Sequence, residues 1–342
     1  MSDIVVDFER LKNPNTGLYS FCKDLGNELI INKKELDLEF YVPKTETPIF
    51  KNNTLFFYNP IHKILKPKKN NLWHLTHQGS KFGGKRNLLT IHDLNFLIEK
   101  KDNPAKIKSN LAKIQKNIDR SQQIVCISNF TSCQVQEYLK IYNKPISVIY
   151  NGCSLKNYPN FNEPKYHPKN KFLFSIGTVF RKKNFHVLSS LLIKNEFELI
   201  IAGILSDKNY VAEILDLAKK LDVLSRVHLV GAISDQEKYW YYDNCTAFVF
   251  PSVAEGFGLP VVEAMRLGKP VFLSKLNSLP EIGGENAFYF DNFDQESMQK
   301  TFENAMSQFD NHELKEKLIQ HSMQFSWESA AKKYLTIYKT LL

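Results

Sequence analysis

The sequence predicts an α/β protein with two Rossmann-like domains, each built on a doubly wound parallel sheet. Short apolar, β-favouring runs alternate with amphipathic helical stretches along most of the chain, a pattern that produces parallel strands joined by right-handed crossovers. Residues 153–171 break this pattern with three prolines and no periodicity, after which it restarts. The length of 342 residues is also more than one core usually needs and suits two.

The first half of the chain predicts one such domain over residues 1–152. Its elements are strand 4–8, helix 18–29, strands 38–42, 72–75 and 87–94, helix 104–121, strand 124–128, a helix opened by Asn129 or Thr131, and strand 146–150. Gly17 closes the loop after the first strand, and His92 lies near the end of a later one. Ligands bind at the carboxyl ends of parallel strands, so both are candidates. The plain alternatives are an ordinary glycine loop and a structural histidine.

The second half predicts another domain over residues 172–326, with 153–171 as the linker. Its strands are 172–176, 199–202, 227–230, 245–250, 271–274 and 288–290, and its helices begin near Phe185, Asp207, Ser234 and Leu259. A last amphipathic helix follows Trp327 and runs to Leu342. The alternation of strands and helices again favours a parallel sheet.

The stretch 249–265 is organised as a strand, a tight loop and a helix. Gly256 and Gly258 interrupt it just before the helix, where unpaired backbone N–H groups and the helix dipole favour an anion. Glu255 and Glu263 flank this position, and a carboxylate beside a phosphate is better explained by sugar hydroxyls than by phosphate affinity. The stretch therefore predicts a nucleotide-sugar site. The alternative is a solvated Glu255 and a Glu263 that only stabilises the helix dipole.

Three consecutive cations follow the first strand of the second half. Arg181, Lys182 and Lys183 precede a helix N-terminus, where positive charge is unfavourable unless an anion compensates it. A pyrophosphate meets that need, and a solvated basic turn is the alternative.

The positive charge is concentrated in the first half. Residues 49–116 hold 14 basic and 3 acidic side chains, a net charge of +11, whereas residues 156–342 are neutral. Such an excess attracts polyanions or an anionic membrane surface, unless it is only a solvated lysine-rich face. No RNA-binding motif, zinc-finger spacing or basic heptad accompanies it, so we expect no nucleic-acid partner.

Cysteines and hydropathy limit the compartment and the cofactors. The five cysteines form no Cys-x-x-Cys and are odd in number, which disfavours a disulfide framework or a zinc site. No stretch reaches the length of a membrane span, and no secretory signal is present. We expect a cytoplasmic protein, peripheral at the inner membrane face if the basic region binds lipid.

The motif Phe-Pro-Ser-x-x-Glu-Gly-Phe-Gly-Leu-Pro-x-x-Glu-Ala-Met at 250–265 resembles the donor-site signature of glycosyltransferase family 4. The segments Thr-Ile-His-Asp-Leu at 90–94 and Gly-Thr-x-x-x-Lys-Lys-Asn at 177–184 are similar to further family segments. The resemblance implies GT-B architecture, in which an acceptor-side first domain faces a donor-binding second domain across a central cleft. It also implies that helix 327–342 crosses back onto the first domain.

The resemblance further implies roles for single residues. His92 and Glu255 would contact the transferred sugar, Glu263 the ribose, and the phosphates and base would lie against Gly17, Arg181, Lys183, Gly231, Gly256, Phe257, Gly258 and Leu259. Lys182 stands where the family pattern has arginine, with Arg181 one position earlier, and the resemblance leaves open which of the two contacts the second phosphate. The family retains anomeric configuration, and no nucleophile is evident, so front-face attack assisted by the leaving phosphate is expected. The sequence contains no Asp-x-Asp, so we expect no metal and no cofactor besides the donor.

The predicted function is transfer of a hexose from a nucleotide diphosphate sugar, with GDP-mannose as the favoured donor. The acceptor is expected to be a saccharide or a lipid-linked molecule in cell-surface polysaccharide assembly. The rivals are an epimerase or phosphorylase on the same scaffold, and a catalytically silent nucleotide-sugar-binding or surface-binding subunit.

Overall fold

The structure, a computed structural model, describes residues 3–14, 16–44, 49–50, 53–309 and 312–342. Asn15 of the predicted glycine loop and Lys51 of the basic region lie outside the described residues. The chain divides into two compact units, one comprising residues 1–153 and 325–342 and the other residues 154–324. The predicted linker 153–171 therefore belongs almost entirely to the second unit. Among the residues described, no helix is both long and apolar enough to cross a bilayer.

The first unit contains a parallel sheet whose strands are buried apolar runs. The described strands are β1 (Ile4–Asp7), β2 (Leu38–Val42), β3 (Thr54–Phe57), β4 (Leu72–Leu75), β5 (Arg86–Ile91), β6 (Gln123–Cys126) and β7 (Ile146–Val148). They are arranged in the order β3-β2-β1-β4-β5-β6-β7, all parallel. Near-continuous apolar runs suit a sheet covered on both faces.

Residues 17–138 of the first unit form five α-helices among the residues described, and three of these helices begin at a capping side chain. They are α1 (Gly17–Asn32), α2 (His62–Leu65), α3 (Phe96–Glu99), α4 (Pro104–Asp119) and α5 (Asn129–Tyr138). The side chains of Thr16, Asn103 and Ser128 accept hydrogen bonds from backbone N–H groups in the first turns of α1, α4 and α5. A cap of this kind satisfies one of the donors that a helix start leaves unpaired.

The second unit repeats the same architecture. Its strands are β8 (Phe172–Ile176), β9 (Glu198–Ala202), β10 (Val227–Gly231), β11 (Ala247–Phe250), β12 (Val271–Ser274) and β13 (Phe288–Phe290), in the order β10-β9-β8-β11-β12-β13 and all parallel. Its helices are α6 (Lys208–Lys220), α7 (Asp235–Asn244), α8 (Leu259–Arg266), α9 (Leu279–Gly283), α10 (Gln295–Gln308) and α11 (His312–Ser322). The order of strands changes direction at β8 and β11, where an open parallel sheet places its ligand crevice.

The last helix, α12 (Trp327–Leu341), packs on the first unit beside α1. Two buried hydrogen bonds hold it: the Tyr338 hydroxyl lies 2.6 Å from Nδ1 of His74, and the Tyr334 hydroxyl lies 3.0 Å from Oγ1 of Thr90. The Trp327 ring meets the Phe21 ring edge-on at 5.5 Å. The helix therefore contributes to the core of the first unit.

The predicted fold class, two Rossmann-like parallel-sheet domains, is confirmed. Differences occur in short elements: β3, α3 and the last helices of the second unit were not predicted. The helix expected from Phe185 is a 3-10 helix over Phe185–Leu192. The basic region also contains α2, which was not predicted; this helix ends where Lys66 adopts a left-handed conformation.

Candidate active site

The loop between β11 and α8 lies at the carboxyl edge of the second sheet. Oγ of Ser278 lies 3.1 Å from the carbonyl oxygen of Glu255 and 3.0 Å from that of Phe257, which fixes the loop against the segment after β12. Gly258 has φ of +103°, and a Cβ there would come within 2.8 Å of the Leu279 side chain. The turn into α8 therefore requires glycine for both conformation and space.

Glu255 and Lys183 form an ion pair across two neighbouring strand ends. Both side chains are 13% exposed, and Oγ of Ser252 donates a hydrogen bond of 2.7 Å to the Glu255 carboxylate. Nζ of Lys183 also lies 4.8 Å from the centre of the Phe250 ring. The structure thus brings a cation and a carboxylate together at the start of α8.

Glu263 is buried on α8, and both of its carboxylate oxygens have partners. Nζ of Lys238 donates to Oε1 at 2.8 Å, and the Tyr242 hydroxyl donates to Oε2 at 2.9 Å. Both partners come from α7, so the orientation of Glu263 depends on a second helix. Charge-assisted hydrogen bonds of this kind hold Glu263 more firmly than an interaction with the helix dipole alone would.

Arg181 points to a different partner from Lys183. Its guanidinium forms a bidentate ion pair with Glu213 on α6, and its side chain is 68% exposed. The carbonyl oxygen of Lys182 accepts a hydrogen bond from the N–H of Val253 and lies 3.1 Å from Oγ of Ser252. Of the three predicted cations, only Lys183 contacts Glu255 among the contacts described.

The remaining predicted donor-site residues of the second unit lie at the same sheet edge. Gly256 and Phe257 belong to the loop before α8, Phe257 being buried, and Leu259 is the first residue of that helix. Gly231 ends β10 with φ of +73°, and Nζ of Lys165 lies 3.7 Å from where its Cβ would be. The sheet therefore collects these residues as the carboxyl-end rule predicts.

His92 and Gly17 belong to the first unit. Nε2 of His92 lies 2.8 Å from the carbonyl oxygen of Thr76. Because a carbonyl oxygen can only accept a hydrogen bond, Nε2 is the donor, and the neutral ring carries its proton on that nitrogen. Burial lowers the pKa of His92 to about 4. Gly17 starts α1, and a Cβ there would meet no atom within 4 Å. Sterics therefore do not explain glycine at this position.

A polar cluster near His92 was not predicted from the sequence. Asp7 ends β1 and is buried; the Ser80 hydroxyl donates to Oδ2 at 2.6 Å, and the N–H of Glu9 donates to Oδ1 at 3.0 Å. Burial raises the pKa of Asp7 to about 6. Nη2 of Arg10 lies 3.1 Å from Nδ1 of His77. The sequence signal that could have identified Asp7 as a site residue is its position near the end of a predicted strand.

No group of three or more His, Cys, Asp and Glu side chains within the described ranges is spaced to hold a metal ion. Lys183 and the start of α8 are instead suited to a diphosphate, and the Glu255 and Glu263 carboxylates to hydroxyl groups.

The two Rossmann-like parallel sheets define the fold class of the protein as GT-B. Residues 159–324 match the family model described as Glycosyl transferases group 1. This match covers just under half of the chain and includes the motif at 250–265, so the resemblance inferred from the motifs is confirmed.

Two curated relatives each match about half of the chain. One is the serotype-specific mannosyltransferase WbdA of Escherichia coli, 32% identical over 176 residues, which cover 49% of this chain and 21% of that protein. Another is the O-antigen chain mannosyltransferase RfbU of Salmonella typhimurium, 24% identical, covering 57% of this chain and 56% of that protein. The matches thus span about a fifth and about half of these two relatives.

Solved structures match over the full chain. A sucrose-phosphate synthase from Thermosynechococcus elongatus has a TM-score of 0.79 at 17% identity, covering 100% of this chain and 99% of that one. HepE from Anabaena, solved in complex with UDP and glucose, has a TM-score of 0.72 at 15% identity and covers 100% of both chains. At these identities the likeness establishes the fold.

Proposed function

We propose that this chain is a retaining glycosyltransferase. It moves a hexose from a nucleotide diphosphate sugar to a saccharide or lipid-linked acceptor in cell-surface polysaccharide assembly. The observation that carries the proposal is the Lys183–Glu255 ion pair at the start of α8. A lysine that pairs with a donor phosphate releases Glu255, whose carboxylate then accepts hydrogen bonds from the sugar hydroxyls. Without donor the two side chains neutralise each other.

The catalytic work proposed for these residues is electrostatic. Lys183 and the backbone at the start of α8 stabilise the charge that develops on the leaving diphosphate, and Glu255 positions the sugar. The leaving phosphate assists front-face attack, so no protein nucleophile is required. His92, held neutral by burial, is a proposed sugar contact. Lys183 supplies the positive charge that a metal supplies in other transferases.

Glu263 is proposed to bind the donor ribose. Its oxygens already accept from Lys238 and Tyr242, and each carboxylate oxygen has a second lone pair for a hydroxyl donor. Gly17, Gly231 and Arg181 are proposed as further donor contacts. Mannose is the proposed sugar and GDP the proposed nucleotide, because the relatives WbdA and RfbU are mannosyltransferases; HepE, by contrast, was solved with UDP and glucose.

The first test is thermal stabilisation of the purified chain by GDP, UDP, ADP, CMP and dTDP, with and without magnesium. A ligand at about 100 times its Kd stabilises the folded state by about 2.7 kcal/mol, which raises Tm by roughly 5–10 °C for a unit of this size. We expect a shift with one diphosphate, independent of magnesium. Glu263→Gln is expected to abolish it, whereas Glu303→Gln, a matched change at an exposed glutamate of α10, leaves it intact.

The second test is transfer of sugar from the diphosphate sugar of the nucleotide so identified. Glu255→Gln is expected to lower kcat on the order of 100-fold or more. Unchanged turnover in that variant contradicts the proposed role of Glu255. Nucleotide binding without any transfer supports the silent-subunit alternative.

A further inference from the structure

An exposed aliphatic turn, Ile61, Ile64 and Leu65, lies on the surface of the first unit. These side chains are 49%, 81% and 67% exposed. They belong to the connection between β3 and β4, around α2, and their spacing places them on one face of a helical turn. Single exposed apolar residues are ordinary, but three adjacent ones form a patch that calls for an explanation.

The turn is held firmly on its inner side. Nδ1 of His62 lies 3.2 Å from the Tyr41 hydroxyl, and its ring stacks on Phe56 with centroids 5.0 Å apart. Oδ1 of Asn59 accepts from the N–H of Ile61 at 3.0 Å. Since His62 fixes one face of the turn against the sheet, the aliphatic side chains necessarily face outward.

The segment of the chain that contains this turn is strongly basic. Residues 47–92 contain eight lysines and arginines and no aspartate or glutamate. Lys63, Lys66 and Lys69 are exposed beside the aliphatic turn, while Lys68 pairs with Glu39. A surface that complements this turn therefore carries negative charge at its boundary with water and has apolar groups below that layer.

We propose that the exposed aliphatic turn docks on an anionic lipid bilayer. Ile61, Ile64 and Leu65 enter the boundary between headgroups and acyl chains, and Lys63, Lys66 and Lys69 pair with lipid phosphates. Binding of this kind combines buried apolar area with attraction to anionic headgroups. The inference rests on the proposed lipid-linked acceptor for its biological role and specifies which residues of the basic region make contact.

The test is co-sedimentation of the full-length chain with phosphatidylcholine vesicles that contain or lack phosphatidylglycerol, at low salt and without donor or acceptor. We expect binding only to the vesicles that contain phosphatidylglycerol. The double change Ile64→Ser with Leu65→Ser is expected to lower the partition coefficient on the order of tenfold or more. Lys63→Gln with Lys69→Gln should lower it by about tenfold, an effect that added salt removes.

Matched controls separate the turn from general surface changes. Ile31→Ser alters an aliphatic side chain of the same unit that is 74% exposed, and Lys100→Gln with Lys101→Gln removes two exposed lysines from it; both should bind as the unchanged chain does. The inference is wrong if the Ile64/Leu65 variant sediments as the unchanged chain does, or if the unchanged chain binds neutral and anionic vesicles equally. It is also wrong if the chain does not bind anionic vesicles, a result that favours an acidic protein partner.

The nucleotide-induced Tm shift is measured on the same preparations. If the chain does not bind vesicles but the nucleotide still raises Tm, the docking inference is wrong and the proposed function stands. If the chain binds vesicles but no nucleotide raises Tm, the docking inference stands and the proposed donor site is wrong.

Discussion

Lys183 and Arg181 are both basic and lie two positions apart in the sequence, but their surroundings differ. The Lys183 side chain is largely buried beside Glu255, whereas the Arg181 side chain is mostly exposed and forms an ion pair with Glu213. A hydrogen bond between an enclosed lysine and phosphate is worth about 1.5–3 kcal/mol, while an exposed ion pair is worth about 0–1 kcal/mol. We therefore expect Lys183 to dominate nucleotide binding.

The prediction is that Lys183→Gln weakens nucleoside diphosphate binding by about 10–150-fold. Arg181→Gln should weaken it by about fivefold or less. Isothermal titration of both variants with the same nucleotide checks this. A larger loss in the Arg181 variant shows that this side chain leaves Glu213 to bind the donor.

Asp7 makes the stability of the first unit depend on pH. Burial raises its pKa from 3.8 to about 6, so the folded state binds this proton more tightly than the unfolded chain. Its contribution is therefore fully present below pH 3.8 and is lost as pH rises towards 6.

We expect Asp7→Asn to raise the free energy of unfolding near neutral pH by about 1–3 kcal/mol more than at about pH 4. Urea denaturation at the two pH values measures the difference. Asp3→Asn, at an exposed carboxylate just before β1, is the matched control. An equal effect of Asp7→Asn at both pH values disproves the raised pKa.

At the scale of elements, α12 depends on a chain of buried hydrogen bonds. Both ring nitrogens of His74 are paired, Nδ1 with the Tyr338 hydroxyl and Nε2 with Oγ1 of Thr90 at 2.8 Å. The Tyr334 hydroxyl contacts the same Thr90 oxygen. Loss of the Tyr338 hydroxyl leaves a buried nitrogen unpaired, whereas loss of the Tyr334 hydroxyl leaves Thr90 still bonded to His74.

Tyr338→Phe is therefore expected to cost about 1–3 kcal/mol of stability. Tyr334→Phe, the matched change four residues earlier, should cost about 1 kcal/mol or less. Chemical denaturation of the two variants gives the comparison, and a cost for Tyr334→Phe equal to or above that of Tyr338→Phe contradicts the proposed network.

The sequence predicted elements whose pattern is local and missed what tertiary contacts determine. The strand before the donor loop and helix α8 were predictable because apolar spacing and Gly258 mark them. β3 was missed because it is an edge strand of four partly exposed residues. The partners of Glu263 were missed because Lys238 and Tyr242 lie 25 and 21 residues away in sequence. Arg181 likewise depends on Glu213, which no spacing rule connects to it.

At the scale of the whole molecule, three buried histidines should make the first unit sensitive to acid. Burial lowers the pKa of His74 to about 3 and that of His92 to about 4, and burial beside Arg10 holds the pKa of His77 well below its ordinary value. The unfolded chain therefore binds up to three more protons as pH falls below about 6.5. Asp7 offsets about one of them between about pH 4 and 6.

We expect the free energy of unfolding of the first unit to fall by about 3 kcal/mol per pH unit below about pH 6. Trp240→Phe leaves Trp73 and Trp327, both in the first unit, as fluorescence reporters of its unfolding. His77→Gln in this background should remove about one proton from the difference in proton binding between the unfolded and folded states, and so reduce the slope. His312→Asn, at an exposed side chain of the second unit, is the matched control. Stability that does not vary with pH in this range rules out the buried neutral histidines.

The return of α12 to the first unit has a consequence for the order of synthesis. The second unit is one continuous segment, residues 154–324, inserted into a unit whose remaining core piece follows at 325–342. On the ribosome the second unit can complete its sheet as soon as its last strand has emerged, while the first unit waits for Tyr334 and Tyr338 to reach His74 and Thr90. We therefore expect the second unit to complete its fold before the first.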